Sequence, residues 1–304
     1  MRIGVGASGT TIQEQIASIQ KAEADGFVSV WMPQIFGWDA ITVFALAGAA
    51  TSTIEMGTFV VPTYPRHPTA LAQQALTAAS ATGGRFTLGI GLSHKVVIED
   101  MFGLDYSKPA RHMREYLSVL MPALERQPVR FRGEEFRVAA QFDVPVEKRP
   151  QVIVAALGPQ LLKIAGRLAD GTATWMGGPK YLEKTAVPII TASAKEAGRP
   201  EPRIVSGFPI AVTSEVDAAR KSASATFAIY GQLPSYRAVL DIEGAADASG
   251  VAIVGNEETV LRQMRDLRDA GVTDFNASPF PVEGDPGAVG RTMQLMAEIA
   301  KNGL

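Results

Sequence analysis

Short runs of apolar residues alternate along the chain with segments in which apolar side chains recur every three or four positions. A strand that is buried on both faces has the first pattern, and one face of an α-helix has the second. The apolar runs predict eight strands, at residues 2–7, 29–34, 54–61, 86–92, 151–157, 171–176, 203–213 and 273–280. The helical spacing follows nearly every strand and predicts, among others, helices over 40–52, 109–124, 159–169 and 179–197.

Several helix starts carry capping signals. Thr11 and Ser214 are each followed three residues later by an acidic residue, which is the spacing of a capping box. Asn256 stands where an N-cap is expected, directly before another apolar helical pattern. The dipeptide Asp285-Pro286 predicts the start of the last helix, because proline is favoured at the first helical position.

The order helix, glycine, strand recurs in the stretches AEADGFVSVW, ASATGGRFTLGI, RLADGTATW and RDAGVTDF. Length alone suggests about two domains, but no linker rich in proline and serine divides the chain. We therefore predict one domain over residues 1–304, an α/β fold of the (β/α)8 TIM-barrel type. Loop insertions are expected near 94–110, 125–148 and 214–255, and the second of these contains a hairpin pattern over 129–138.

Composition removes several classes of function. The chain has 29 basic and 31 acidic side chains and a formal net charge of −2, without the basic excess expected of a nucleic-acid surface. The absence of cysteine excludes disulfides, thiolate metal sites and a cysteine nucleophile. Three histidines without an HExxH pattern give no reason to expect a metal.

The N-terminal residues MRIGVGASGTTIQEQ become polar too early for a signal peptide. The longest apolar runs, such as 43–50, fall well below the ~18 residues that cross a bilayer. The expectation is a soluble cytoplasmic protein with a small-molecule substrate and no nucleic-acid or membrane partner.

In a barrel of this type the active site lies at the carboxyl ends of the strands. Two successive strand ends share one form, Ala155-Ala156-Leu157-Gly158-Pro159 and Trp175-Met176-Gly177-Gly178-Pro179. Glycine lets a ligand approach the backbone, and the free N–H groups of the following helix favour an anion. The pair predicts a phosphate cradle, although glycine and proline also punctuate ordinary loops.

His94 is the histidine placed just past a strand end, where it could exchange a proton or remain a loop residue without a role. His67 precedes Pro68 and is predicted either to end the third strand or to cap the helix that follows, and His112 is predicted to be structural or solvated. Trp38 and Trp175 could flank a flat ring, or simply fill a core. The sequence contains no nucleophile elbow, no close pair of histidine and carboxylate and no Walker loop. These residues alone therefore do not identify the reaction.

Six blocks of sequence follow one another along the chain: GTFVVPTYPRHP at 57–68, TGGRFTLGIG at 82–91, PARHMREYL at 109–117, VAALGP at 154–159, LADG at 168–171 and YGQLPSYR at 230–237. Together they resemble the luciferase-like monooxygenase superfamily, and in particular its branch that uses coenzyme F420, a deazaflavin. The resemblance covers practically the whole chain. It implies a (β/α)8 barrel that binds F420 at its C-terminal face, and it favours a homodimer.

The same resemblance implies a bulge in the third strand with a non-prolyl cis peptide, at Phe59–Val60 by position. The cofactor-binding residues that it implies lie on strands three to six and the loops after them. They are Phe59, Val60, Val61, Thr63, Gly91, Ser93, His94, Ala155, Ala156, Leu157, Gly158, Pro159, Trp175, Gly177 and Gly178.

The chain also departs from the family pattern. Several relatives have an acid/base histidine at the end of the second strand, where this chain has Gln34, which cannot transfer a proton at ordinary pH. Some relatives carry a glutamate near the end of the fourth strand, where this chain has His94. Oxidation of a sugar phosphate is therefore doubtful, although Lys180 and Lys184 could serve an anionic group.

The leading hypothesis is an F420-dependent oxidoreductase that transfers a hydride between C5 of the deazaflavin and a small organic substrate. His94 is the candidate for proton handling, with Gln34 and Trp38 as ring or substrate contacts. The alternatives are an FMN-dependent monooxygenase and a flavin- or deazaflavin-binding protein with little catalysis.

Overall fold

A computed structural model describes residues 1–304. The strands are β1 Arg2–Gly6, β2 Ser29–Met32, β3 Glu55–Thr58, β4 Val61–Pro62, β5 Phe86–Gly91, β6 Val129–Arg132, β7 Arg137–Ala140, β8 Gln151–Ala155, β9 Gly171–Trp175, β10 Arg203–Val212, β11 Ile253–Gly255 and β12 Asp274–Pro279. The helices are α1 Ile12–Ala24, α2 Ala40–Ala47, α3 Pro68–Ala81, α4 Pro109–Leu124, α5 Pro159–Leu168, α6 Pro179–Tyr181, α7 Val187–Glu196, α8 Val216–Thr226, α9 Pro234–Glu243, α10 Glu257–Asp269 and α11 Ala288–Asn302. A π-helical turn over Leu182–Ala186 joins α6 to α7, and another covers Val96–Met101.

Eight parallel strands close a barrel in the order β1-β2-β3-β5-β8-β9-β10-β12, and β12 returns to pair with β1. The predicted (β/α)8 fold is confirmed. The predicted third strand is divided into β3 and β4, and β4 pairs with β5. The predicted hairpin forms as the antiparallel pair β6 and β7.

The insertion at 214–255 adds a strand that the sequence pattern did not reveal. β11 has three residues and pairs with the far end of β10, from Ile210 to Val212. A run this short is below the length at which an apolar pattern distinguishes a strand from a loop.

Helix starts agree with the capping signals in part. The Thr11 side chain accepts a hydrogen bond from the Glu14 N–H, the Glu14 carboxylate accepts one in return, and Asn256 caps α10. The prediction for Ser214 was wrong, since the N-cap of α8 is the next residue and has no side-chain cap. The start at Asp285 was also wrong. The Asp285 carboxylate accepts a hydrogen bond from the Thr213 hydroxyl at 2.6 Å, and α11 begins only at Ala288.

A tryptophan fills the middle of the barrel. Trp31 is 1% exposed, and its indole N–H donates to the Ser29 hydroxyl at 3.0 Å. Glycines on the two neighbouring strands make room for it, because a Cβ would lie 2.2 Å from the indole at Gly57 of β3 and 2.7 Å from it at Gly4 of β1. The amino-terminal end of the barrel is closed below by Arg203, which pairs with Glu55 and Asp274. The barrel interior is therefore a packed core, and a ligand at the strand ends that carry the predicted site would bind at its carboxyl-terminal mouth.

None of the helices has both the length and the apolar character that crossing a bilayer requires.

Candidate functional site

The floor of the mouth is formed by the bulge between β3 and β4. The peptide bond between Phe59 and Val60 is cis, which confirms that expectation. The Phe59 ring lies edge-on to Trp31, with centroids 6.0 Å apart. Val60 faces Gly91 and Ala155, since a Cβ on Gly91 would lie 2.8 Å from Val60 Cγ2 and 3.2 Å from Ala155 Cβ. A small aliphatic floor results, bounded by residues that have little or no side chain.

The side chains of Val61 and Thr63 do not line this mouth. Each is fully buried, with 0% of its surface exposed. Side chains alternate between the two faces of a strand, so these two point outward to the helices while Val60 faces inward. The Thr63 hydroxyl contacts the carbonyl oxygen of Gly91 at 3.3 Å and the imidazole of His112 at 3.1 Å. The expectation that both line the cofactor wall is therefore corrected to a supporting position behind it.

His112 forms a buried pair with a carboxylate, which the sequence did not reveal. Its Nδ1 lies 2.9 Å from Glu135 and its Nε2 faces Thr63, while the ring stacks on Tyr64 at 3.9 Å. Burial lowers the pKa of His112, and the neighbouring Glu135 opposes that effect only in part. Because a carboxylate can only accept, Nδ1 carries the hydrogen and donates it to Glu135, while Nε2 lies against the Thr63 hydroxyl.

His94 lies at the mouth after Ser93, which has a positive φ of 60°. Burial lowers the pKa of His94, so its imidazole is neutral near pH 7 and can accept a proton. The Tyr106 hydroxyl donates to the backbone oxygen of Ser93 at 3.3 Å and holds this turn in place. The His94 ring centroid is 5.9 Å from that of Tyr236.

Neither Gln34 nor Trp38 shares a hydrogen bond or a ring contact with His94. The Gln34 amide donates to Asp39 at 3.0 Å and accepts from the Ala40 N–H at 2.9 Å. It therefore holds its own loop, and Asp39 in turn caps α2 and pairs with Arg66. Trp38 is 41% exposed on the same loop.

The first half of the expected phosphate cradle is open. Gly158 precedes α5, is exposed, and provides no side-chain cap, so the first N–H groups of this helix remain free for an anion. A Cβ at Gly158 would meet nothing within 4 Å. Leu157 is half-buried and Pro159 exposed, whereas Ala156 is 1% exposed.

The second half is occupied by the protein itself. The Glu243 carboxylate, at the end of α9, accepts the Tyr181 N–H at 2.6 Å. A Cβ on Gly178 would lie 2.5 Å from that carboxyl group, and Gly177 and Gly178 are both buried. Lys180 donates to the Glu243 backbone oxygen at 2.9 Å. A carboxylate of the chain thus stands where the sequence suggested a ligand phosphate.

Aromatic residues of the 214–255 insertion cover one side of the mouth. Trp175 lies 5.8 Å from Phe227 and 6.1 Å from Tyr230, measured between ring centroids. Tyr230 contacts Tyr236 at 4.8 Å, which in turn reaches His94. The indole N–H of Trp175 is buried without a hydrogen-bond partner. We call the five residues Phe227, Trp175, Tyr230, Tyr236 and His94 the aromatic arc.

Histidine and acidic side chains do not gather into any group of three or more that could hold a metal ion.

A family model described as luciferase-like monooxygenase matches residues 2–274. The 5,10-methylenetetrahydromethanopterin reductase of Archaeoglobus fulgidus is 27% identical over 300 residues, which cover 94% of this chain and 86% of that protein.

Two solved structures share the fold. The coenzyme F420-dependent tetrahydromethanopterin reductase of Methanopyrus kandleri has a TM-score of 0.82 at 24% identity, covering 98% of this chain and 97% of that one. An F420-dependent secondary alcohol dehydrogenase, in complex with an F420–acetone adduct, has a TM-score of 0.80 at 19% identity with the same coverage. At these sequence identities the two structures show only that the barrel fold is shared. The family model shows the family, because it matches most of the chain. The chain therefore belongs to the luciferase-like monooxygenase family and is an oxidoreductase.

Proposed function

We propose that the protein is an F420-dependent oxidoreductase that transfers a hydride between C5 of the deazaflavin and a small organic substrate. The observation that carries the proposal is the open N-terminus of α5 at Gly158, next to the aliphatic floor at Val60. A flat ring with a phosphate-bearing tail needs both features at one strand end. The F420-dependent enzymes among the similar structures support the choice of a deazaflavin.

The residues that would hold the cofactor are those that are open at the mouth. Val60 and Ala155, which are half-buried, would face the ring with the buried Gly91 behind them, and Gly158 with the first N–H groups of α5 would hold the phosphate. When bound, the deazaflavin supplies the carbon that gives or receives the hydride. The protein's contribution is to exclude water and to place the substrate against that carbon.

His94 is the residue that we assign to proton handling. It is partly buried beside the mouth, and its lowered pKa keeps the imidazole neutral. A neutral imidazole can take a hydroxyl proton as an alcohol is oxidised, and the imidazolium can return it in the reverse direction. Gln34 has no such capacity, and its amide is already engaged with Asp39 and Ala40.

Titration of the purified protein with F420 and, separately, with FMN tests the proposal through quenching of each cofactor's fluorescence. We expect submicromolar binding of F420 and weaker binding of FMN. Submicromolar binding of FMN without binding of F420 would overturn the proposal in favour of an FMN-dependent monooxygenase. Tight F420 binding without hydride exchange toward a panel of ketones and electron-poor alkenes would reduce the protein to a cofactor carrier.

A further inference from the structure

The aromatic arc gives the mouth an apolar wall that runs from the end of β9 to the loop after β5. Successive ring centroids in the arc are 4.8–6.1 Å apart, within the range in which aromatic rings attract one another. The wall extends further, because Phe227 meets Phe280 at 6.0 Å beyond the end of β12. Burial raises the pKa of Tyr236 and Tyr230, so both phenols stay protonated and uncharged.

Exposed apolar side chains also stand on two other loops of the same face. Ile35 is 70% exposed and Phe36 65% exposed on the loop after β2, and Met101 is 59% exposed on the loop after β5. The two loops meet where the Phe36 ring packs edge-on against Phe102, at 5.9 Å. We call Ile35, Phe36, Met101 and Phe102 the apolar rim. Large side chains left in water at the entrance of a site indicate an apolar binding partner.

Three of the cations next to the arc and the rim are engaged within the chain, and a fourth, Lys95, lies 3.6 Å from Glu99. Lys180 donates to the Glu243 backbone oxygen, and Arg237 binds Asp241 and two backbone oxygens. Arg66, near the rim, is paired with Asp39 at 2.7 Å. Because the positive charges of these side chains are already paired, little positive charge is available to bind an anionic substrate. This argues against the binding of an anionic group by Lys180.

We infer that the mouth recognises an uncharged, ring-containing organic molecule, held between the aromatic arc and the apolar rim and oriented through one carbonyl or hydroxyl oxygen. The inference rests on the proposed function, which identifies the mouth as the active site. It adds the class of substrate that this site accepts. Tyr230 and Tyr236 carry the hydroxyl groups that can bond the single oxygen. Aromatic and apolar contact area provides most of the affinity, because polar partners at the mouth are few.

Binding to the cofactor-free protein tests the inference without relying on turnover. The probe is 6-propionyl-2-dimethylaminonaphthalene, an uncharged aromatic ketone whose emission shifts to the blue in an apolar site. We expect saturable binding by the wild type, an affinity at least about tenfold lower in Tyr236→Ala, and a smaller loss in Tyr236→Phe, since an aromatic ring of 150–250 Å2 contributes more than one hydroxyl. Leu46→Ala removes an exposed apolar side chain on α2 and serves as the matched control, with binding unchanged.

Thermal unfolding of each variant separates loss of fold from loss of binding, and Tyr236→Phe supplies a second variant if Tyr236→Ala does not fold. Equal probe affinity in the wild type and folded Tyr236→Ala would overturn the inference. Displacement of the probe by naphthalene-2-sulfonate as readily as by uncharged 2-acetylnaphthalene would overturn it too. If Phe36→Ser changes the sedimentation coefficient but not the probe affinity, the apolar rim belongs to an interface between copies of the chain. The inference that the rim contacts the substrate then fails. The F420 titration is independent of these results, so failure of the cofactor proposal is seen separately.

Discussion

Replacing Gly158 with aspartate should weaken deazaflavin binding while stabilising the folded protein. Gly158 is the N-cap of α5, with φ −92° and ψ 152°, a conformation open to any residue. The new side chain has room, because a Cβ there meets nothing within 4 Å. Aspartate is among the best N-cap residues, so its carboxylate would accept the N–H groups that the wild type leaves free for a phosphate.

The two effects can be sized separately. An N-cap aspartate in place of glycine adds a few tenths of a kcal/mol to the free energy of unfolding. A phosphate oxygen about 4 Å from the carboxylate is repelled by about 1 kcal/mol in bulk water and about 4 kcal/mol at an effective dielectric constant of 20. Gly158 is exposed, so the loss falls between these limits, roughly 5- to 800-fold in the dissociation constant.

Fluorescence quenching of F420 measures the dissociation constant, and thermal unfolding of the same samples measures stability. Gly158→Asn is the matched control, because asparagine caps the helix equally well but carries no charge. We expect both variants to unfold at or above the wild-type temperature, with the larger loss of affinity in the aspartate variant. Wild-type affinity in a folded Gly158→Asp protein would refute the assignment of the phosphate to α5.

Three further changes test other parts of the site. Glu243→Gln removes the carboxylate beside Gly178 and should tighten F420 binding severalfold in the same titration; unchanged affinity would mean that no cofactor charge comes near α6. His94→Ala should lower kcat by about 100-fold or more, in line with general acid–base catalysis, and change the F420 dissociation constant less; unchanged kcat would remove His94 from the reaction. His112→Gln should make the free energy of unfolding depend less on pH. The pKa of His112 is lowered from 6.5 in the folded protein, so the unfolded chain binds the proton first and stability falls as the pH drops below about 6.5. Denaturant unfolding at pH 5.5 and 7.5 should show a smaller difference in the variant, and an equal difference would contradict this origin.

The barrel could be predicted from local signals, while much of the site depends on pairings between distant residues. The apolar runs and the repeated order of helix, glycine and strand are local signals, and the runs placed all eight barrel strands within a few residues of their observed bounds. The partners of His112 are remote, because Glu135 comes from the hairpin and Thr63 from the segment after β4. No spacing rule links a histidine to a carboxylate 23 positions away across an insertion.

The errors at helix starts have a related cause. Asp285 looks like a cap in the sequence, but its carboxylate binds the Thr213 hydroxyl at the end of β10. Glu243 gave no signal at all, since it is an ordinary acidic residue at the end of a helix until the fold brings it to Tyr181. In both cases a contact between residues distant in sequence determines what the carboxylate binds, and the local sequence does not contain that information.

The tryptophan that fills the barrel also sets an order of events. Because Trp31 and the ion pairs of Arg203 close the interior from below, a cofactor and a substrate bound at the proposed site would enter and leave through the same opening. A ring that lies on the floor at Val60 is covered by whatever arrives after it. Ligands must then depart in the reverse order of their arrival, so steady-state kinetics should follow an ordered sequence in which the cofactor binds first and is released last.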